Sequence, residues 1–262
     1  MKIMPGLLRR LYEESEAESQ LRQIETPMHS LEAQLEGLPA VHKLSSALRR
    51  DRLQVIAEMK RKTPSMGVLS AAYAPAELAT TYQAAGAAAI SVLCQGASFG
   101  GSPDHLVRAR QAAPRLPIMR KDFISQEFQI VEARVLGADA VLLICAGLTA
   151  ARLRQLWQLA TDLGLEALVE VHEAGEVQVA LECGARMIGV NHRDLDTFAI
   201  DTGLTERLRP LIPAEVILVA ESAIHNQADA LRMRASGADA VLVGEALMRA
   251  ADAGRVVEEL SV

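Results

Sequence analysis

Two stretches of the chain, LGADAVLLI (136–144) and SGADAVLVG (236–244), are near copies of each other although they stand far apart. Each reads as a glycine helix stop, a tight turn of small residues and then an apolar run suited to a strand buried on both faces. AGAAAISVL (85–93) is a weaker third copy. Working outward from these junctions, short apolar runs recur throughout the chain: VIAEM (55–59), AISVLC (89–94), PIMRK (117–121), AVLLIC (140–145), EALVEV (166–171), MIGVN (187–191), VILVAES (216–222) and AVLVGEA (240–246). Between them lie Ala/Leu/Arg/Glu-rich stretches of helical periodicity, such as ARLRQLWQLATDLG (151–164) and EAGEVQVALECG (173–184). Pro75 and Pro103 suit first helical turns, Ser102 and Ser125 read as N-caps, and Gly86, Gly137, Gly164, Gly184 and Gly237 read as helix stops. Eight alternating strand–helix units predict an α/β fold, a (β/α)8 TIM barrel. A doubly wound open sheet is the competitor, but it usually has fewer units and leaves two edges to protect.

Residues 1–50 read differently. Leu7, Leu8, Leu11 and Tyr12 fall at helical spacing with Arg9, Arg10, Glu13 and Glu14 between them. A second polar helical stretch covers 29–36, and Pro27 and Pro39 interrupt the pattern. The expectation is an N-terminal helical extension over 1–50 packed on a barrel domain over 51–262. The opening MKIMPGLLRRLYEESEAE turns acidic before any long apolar run, unlike a signal peptide, and no apolar stretch approaches the ~20 residues of a membrane span.

Half of the 262 residues are hydrophobic but only 3% are aromatic, so the core must be built from Ala, Val, Leu and Ile. A net charge of −6 argues against a broad nucleic-acid or anionic-membrane surface, while leaving room for a local phosphate site. Cys94, Cys145 and Cys183 are odd in number and widely spaced, which suits reduced, buried thiols in a cytoplasmic protein. No apolar patch argues for a stable dimer; a monomer or weak homodimer is expected.

In such barrels the site is assembled from strand C-termini and the loops after them. Polar residues that an apolar core would reject end several of these strands. The first run ends in Glu58 and Lys60, the third in Arg120, Lys121 and Asp122. The fifth carries Glu170, the sixth Asn191 and Arg193, the seventh Glu221 and Ser222. Residues i and i+2 of a strand share a face, so Glu58 and Lys60 can both point into the barrel mouth. Lysines beside carboxylates in a partly dry mouth suit general acid–base work on a small anionic substrate. The loops Ser222-Ala223 and Gly244-Glu245 fit the backbone cradle that many such barrels offer to phosphate.

VIAEMKRKTPSMG (55–67), MRKDF (119–123), LVEVH (168–172), IGVNHRDL (188–195), ESAI (221–224) and LVGEALM (242–248) then resemble, in order and spacing, the strand-end motifs of indole-3-glycerol phosphate synthases. The resemblance implies a metal-free and cofactor-free lyase acting on an anionic sugar phosphate. It closes the indole ring of 1-(o-carboxyphenylamino)-1-deoxyribulose 5-phosphate with loss of CO2 and water, a step of tryptophan biosynthesis. On that resemblance Lys121 is the principal general acid, Lys60 holds the substrate carboxylate, and Glu170 is the base for the dehydration. Glu58 orients the lysines, and Asn191 and Arg193 bind polar groups of the substrate. Phe123, Leu142, Leu195 and Ile224 wall the anthranilate ring, while Thr63, Ser222, Ala223, Gly244 and Glu245 match phosphate-binding positions.

Four places depart from the family pattern, all expected near the mouth. Leu93-Cys94-Gln95 stands for Leu-Thr-acid, Thr63 for Ser, Ala223 for Gly and Ala246 for Ser. Ala223 adds a methyl where a phosphate loop favours glycine. These changes keep two other readings open: a paralogue acting on a substituted anthranilate-derived substrate in a secondary pathway, and a non-catalytic phosphate-binding barrel.

Overall fold

A computed structural model of the chain describes residues 6–70, 72–194 and 197–262. Eight parallel strands close into a barrel: β1 (Gln54–Met59), β2 (Ala89–Leu93), β3 (Ile118–Lys121), β4 (Ala140–Ile144), β5 (Glu166–Val171), β6 (Met187–Asn191), β7 (Ile217–Glu221) and β8 (Ala240–Val243). Each strand pairs with its neighbours in sequence, and β1 pairs with both β2 and β8 to complete the ring. The competing open sheet is thereby excluded. Helices α4 (Pro75–Ala84), α5 (Pro103–Ala112), α6 (Glu127–Val135), α7 (Ala150–Asp162), α8 (Ala174–Cys183), α9 (Leu204–Leu208), α10 (Gln227–Ala235), α11 (Glu245–Arg249) and α12 (Ala253–Leu260) complete the units.

The local signals act as their chemistry requires. Pro75 and Pro103 open α4 and α5, and the Ser102 hydroxyl accepts from the Asp104 N–H. Ser125 does not cap α6. Gln126 takes that place, in a reciprocal box with Gln129, and the Ser125 hydroxyl donates instead to Glu16.

Strand parity divides the core into two layers. Ile56, Met119, Leu142, Leu168, Val219 and Leu242 face into the barrel, whereas Val55, Val92, Leu143, Val169, Leu218 and Val241 face the helices. With a period of two, the inward row of β1 continues through Glu58 to Lys60, that of β3 ends at Lys121, and that of β5 ends at Glu170. Arg120 is therefore out of phase with Lys121. It lies wholly buried between β3 and α6, donating to Asp122 Oδ2 at 2.8 Å and to Glu132 Oε2 at 2.7 Å. Expected among the groups of the mouth, Arg120 belongs instead to the outer layer.

Residues before β1 form α1 (Gly6–Glu25), α2 (Met28–Glu32) and α3 (Leu44–Leu48). α1 lies across the barrel mouth with Leu8, Leu11 and Tyr12 buried. Tyr12 fits because residue 147 is glycine: a Cβ there would sit 2.0 Å from its ring. The polar face of α1 is bonded as closely as its apolar face. Ser15 donates to Asp122 at 2.9 Å, and Arg22 holds Glu132 at 2.7 Å. Glu18 accepts from the Gly96 and Ala97 N–H groups at 3.0 and 2.7 Å. Among the described residues no helix is long and apolar enough to cross a membrane.

Candidate active site

The inward rows converge on one cavity at the C-terminal end of the barrel, and Lys121 stands at its centre. The Lys121 ammonium lies 3.0 Å from Glu221 Oε2 and 3.2 Å from Glu170 Oε2. The other Glu170 oxygen accepts from Asn191 Nδ2 at 3.2 Å. The Asn191 carbonyl oxygen in turn accepts from the Ser222 hydroxyl at 2.8 Å and the Arg193 N–H at 3.1 Å. Across the mouth, Lys60 donates to Glu58 Oε2 at 2.5 Å. Strands β3, β5, β6 and β7 thus share one polar network, and β1 adds a separate ion pair to the same floor.

Two inward-facing glycines make room for the carboxylates. A Cβ at Gly189 would lie 2.1 Å from Glu221 Oε1, and one at Gly244 would lie 2.1 Å from Glu58 Oε2. Gly244 is thus required by the acid beside it.

Burial and charge act in opposite directions on this floor. Burial by itself would push the Lys121 ammonium down; Glu221 and Glu170 reverse this and raise it above the usual lysine range. Burial would raise Glu170, but Lys121, His172 and the Asn191 hydrogen bond hold it below its ordinary value. Glu221 is pushed up to about 7 by burial and by the Glu170 charge, with Lys121 opposing. At neutral pH the floor thus holds a charged Lys121 ammonium beside an ionised Glu170 carboxylate.

Above the floor much of the cavity lining is apolar. Leu7 and Leu11 of α1 roof it, and Phe99, Phe123, Leu142 and Ile224 line its wall. Phe123 meets Tyr12 edge-on at 5.7 Å and Phe99 at 5.9 Å. Thr63, Ser222, Ala223, Gly244, Glu245 and Arg193 belong to the same lining. Leu195, matched to the ring wall by resemblance, lies outside the described residues. Glu245 turns its carboxylate toward Arg193 at 3.8 Å, so its backbone N–H, and not its side chain, suits an anion.

A family model described as indole-3-glycerol phosphate synthase matches residues 8–260. Indole-3-glycerol phosphate synthase 2 of Streptomyces coelicolor is 50% identical over 98% of this chain and 99% of its own. Indole-3-glycerol phosphate synthase of Dehalococcoides mccartyi is 42% identical over 97% of this chain and 99% of its own. The chain belongs to the indole-3-glycerol phosphate synthase family. Among solved structures, thiamine phosphate pyrophosphorylase from Pyrococcus furiosus superposes with a TM-score of 0.61 over 83% of this chain and 96% of its own. At 19% identity that likeness speaks for the barrel alone.

Not all the departures from the synthase pattern lie where they were expected. Cys94 and Ala246 do not line the cavity: Cys94 faces the helix layer, where burial pushes its thiol up to about 12, and Ala246 packs against the same outer core. Gln95 is buried beneath the β2–α5 loop. Its Oε1 accepts from the Ser98 and Phe99 N–H groups at 2.9 and 3.1 Å, and its Nε2 donates to Glu14 of α1 at 2.9 Å. The acid usual in synthases could accept these loop bonds but would repel Glu14. Gln95→Glu should therefore weaken the seating of α1 by on the order of 1–2 kcal/mol, speeding hydrogen exchange in peptides of residues 6–25 about tenfold. Unchanged exchange would dismiss this role.

Ser222 and Ala223 both adopt left-handed backbone, with φ of 69° and 58°. This conformation costs a non-glycine residue about 1–2 kcal/mol. Neutral His192, missed in the sequence, supports the turn from behind. Its Nδ1–H donates to the Ser222 carbonyl at 3.1 Å, and its Nε2 accepts from the Thr205 hydroxyl at 2.7 Å. Burial lowers the His192 pKa, which keeps the ring in this form. Ala223→Gly should raise the melting temperature by about 2–4 °C. The same variant tests the methyl against phosphate: a lower KM means that Ala223 crowds the anion, and an unchanged KM means that it does not.

Proposed function

We propose that this cavity performs the synthase reaction with Lys121 as general acid and Glu170 as general base. The observation that carries the assignment is the placing of Lys121 between Glu170 and Glu221 beside an apolar wall. The anthranilate ring fits between Phe99, Phe123, Leu142 and Ile224, the phosphate lies on the Ser222-Ala223 and Gly244-Glu245 backbone, and the ribulose chain spans the floor. Lys60 binds the ring carboxylate, and Glu58 holds Lys60. Thr63 and Arg193 contact polar groups near the phosphate.

The chemistry then follows from charge. The carboxylate-bearing ring carbon attacks the ribulose carbonyl carbon, and the Lys121 ammonium delivers a proton to the oxygen on which negative charge develops. Loss of CO2 restores the aromatic ring. Departure of the new hydroxyl as water needs a proton on that oxygen and removal of one from the sugar-derived chain, which Glu170 accepts. Asn191 fixes the plane of Glu170, and the roof of α1 keeps the folded substrate on the ring, where proximity adds to the rate.

The test is turnover of 1-(o-carboxyphenylamino)-1-deoxyribulose 5-phosphate by wild type and Glu170→Gln, followed by indole fluorescence. Turnover in the wild type with a loss of about 10²-fold or more in the variant is expected. No turnover in the wild type would reject the substrate, and an active variant would reject Glu170 as base.

A further inference from the structure

Glu170 has a neighbour that the scheme above does not use. His172 follows two residues after it, where β5 gives way to α8. The His172 Nε2 lies 3.5 Å from Glu170 Oε1, the oxygen that also accepts from Asn191. The other ring nitrogen, Nδ1, lies 3.7 Å from Glu176 Oε2 on α8. That carboxylate is itself fixed, because its Oε2 accepts from the His172 backbone N–H at 2.7 Å. Both ring nitrogens are sealed from solvent and neither makes a hydrogen bond, so the two carboxylates stand at ion-pair distance as the polar groups each nitrogen faces. A neutral imidazole in this setting would aim a lone pair at one of two carboxylates. A ring protonated on both nitrogens presents an N–H to each.

We propose that His172 is a positioning residue for Glu170, its ring bridging that carboxylate to Glu176. His172 does not line the substrate cavity, so it acts through Glu170. Lys121 anchors one Glu170 oxygen, and Asn191 and His172 face the other. The base thus has a second cationic neighbour that stays in place when Lys121 gives up its proton.

The groups facing the ring agree with a charged state. Glu176 approaches from α8, Glu170 from its own strand and Glu221 more distantly from β7. The Tyr12 hydroxyl of α1, kept neutral by burial, and the Lys121 ammonium act on Glu170 and not on the ring itself. Burial would depress the imidazole, but the Glu176 and Glu170 carboxylates outweigh it and raise the ring above the ordinary histidine value. The imidazolium favours the ionised form of Glu170, so removing it raises the Glu170 pKa and moves the acid limb of the pH profile upward.

The role rests on Glu170 being the base, so two measurements separate it from that reading. In the first, the His172 ring of the intact protein is titrated by NMR, in wild type and in Glu176→Gln. The proposal expects a midpoint above the ordinary ~6.5, falling in the variant. A midpoint at or below the ordinary value would overturn it, whatever the enzyme turns over. In the second, His172→Asn is assayed for kcat and KM across pH. The acid limb of kcat/KM should rise by about one pH unit with KM near the wild-type value at the optimum. An unmoved limb would also overturn the proposal, since a merely structural histidine would change stability and leave the limb in place. A wild type that fails to turn over the substrate would reject the ring-closure reading and leave the imidazole titration to decide on His172.

Discussion

Replacing Lys121 by methionine should lower kcat by about 10²–10⁴, measured by indole fluorescence under saturating substrate. Two effects combine in this loss. The proton donor to the ribulose oxygen disappears, and the cation shared by Glu170 and Glu221 goes with it. Buried carboxylates that lose a common positive partner both bind protons more tightly. Glu221, already at about 7 beside Lys121, moves higher, and Glu170 follows. The residual activity of the variant should therefore show an acid limb displaced to higher pH. The methylene stem is retained and the strand keeps its inward row, so the far-ultraviolet circular dichroism should stay that of wild type. A loss of less than tenfold would remove Lys121 from the role of principal acid and turn attention to Lys60.

The largest effect on stability should come from the neighbouring residue, which faces the other way. Arg120 is fully buried and serves Asp122, Glu132 and the Gln129 carbonyl together. Truncation to alanine leaves two buried carboxylates short of their cation, and breaking such a pair costs about 3–5 kcal/mol. Arg22 still reaches Glu132, and Ser15 and the Phe123 N–H still serve Asp122, which places the expectation at the lower end of that range. For a chain of this size the melting temperature should fall by roughly 6–12 °C. Because Asp122 and Glu132 also receive bonds from α1, amides of residues 6–25 should exchange faster in the variant. A melting temperature within about 2 °C of wild type would show that the cluster adds little to stability.

The contrast between Arg120 and Lys121 also explains what could be read from the sequence. The barrel was legible because its signal is repeated: the glycine-stop, small-turn, buried-strand junction recurs, and prolines and glycines mark helix ends at consistent offsets. The polar strand ends were legible for a chemical reason, since an apolar barrel would otherwise reject Glu58, Lys121 and Glu170. The side to which each residue points was harder to extract. A strand signal with apolar residues on both faces has no alternation to read, so Arg120 and Cys94 looked like residues of the mouth until the register set their phase. Glu221 was visible as a strand end but received no role, because its meeting with Lys121 joins strands distant in sequence. Counting inward by twos from Ile217 through Val219 would have found it. His192 and the Gln95–Glu14 bond were beyond reach, because each depends on a partner brought close only by the closed ring. That α1 packs on the barrel was legible from Leu8, Leu11 and Tyr12, but the polar contacts that seat it over the mouth were not. Its polar face bonds to Asp122, Glu132 and the loop after β2, and polar docking leaves little hydrophobic pattern.

The most direct measurement is a crystal structure of Lys121→Met flash-cooled after a brief soak with 1-(o-carboxyphenylamino)-1-deoxyribulose 5-phosphate, since the variant should consume this substrate slowly enough for it to be caught in the cavity. The prediction is a phosphate on the Ser222-Ala223 and Gly244-Glu245 backbone, a ring against Phe99 and Phe123, and a ribulose carbonyl oxygen within hydrogen-bonding reach of the place vacated by the ammonium. A ring seated on the phosphate side, or a carbonyl oxygen turned away from position 121 toward Lys60, would contradict the account.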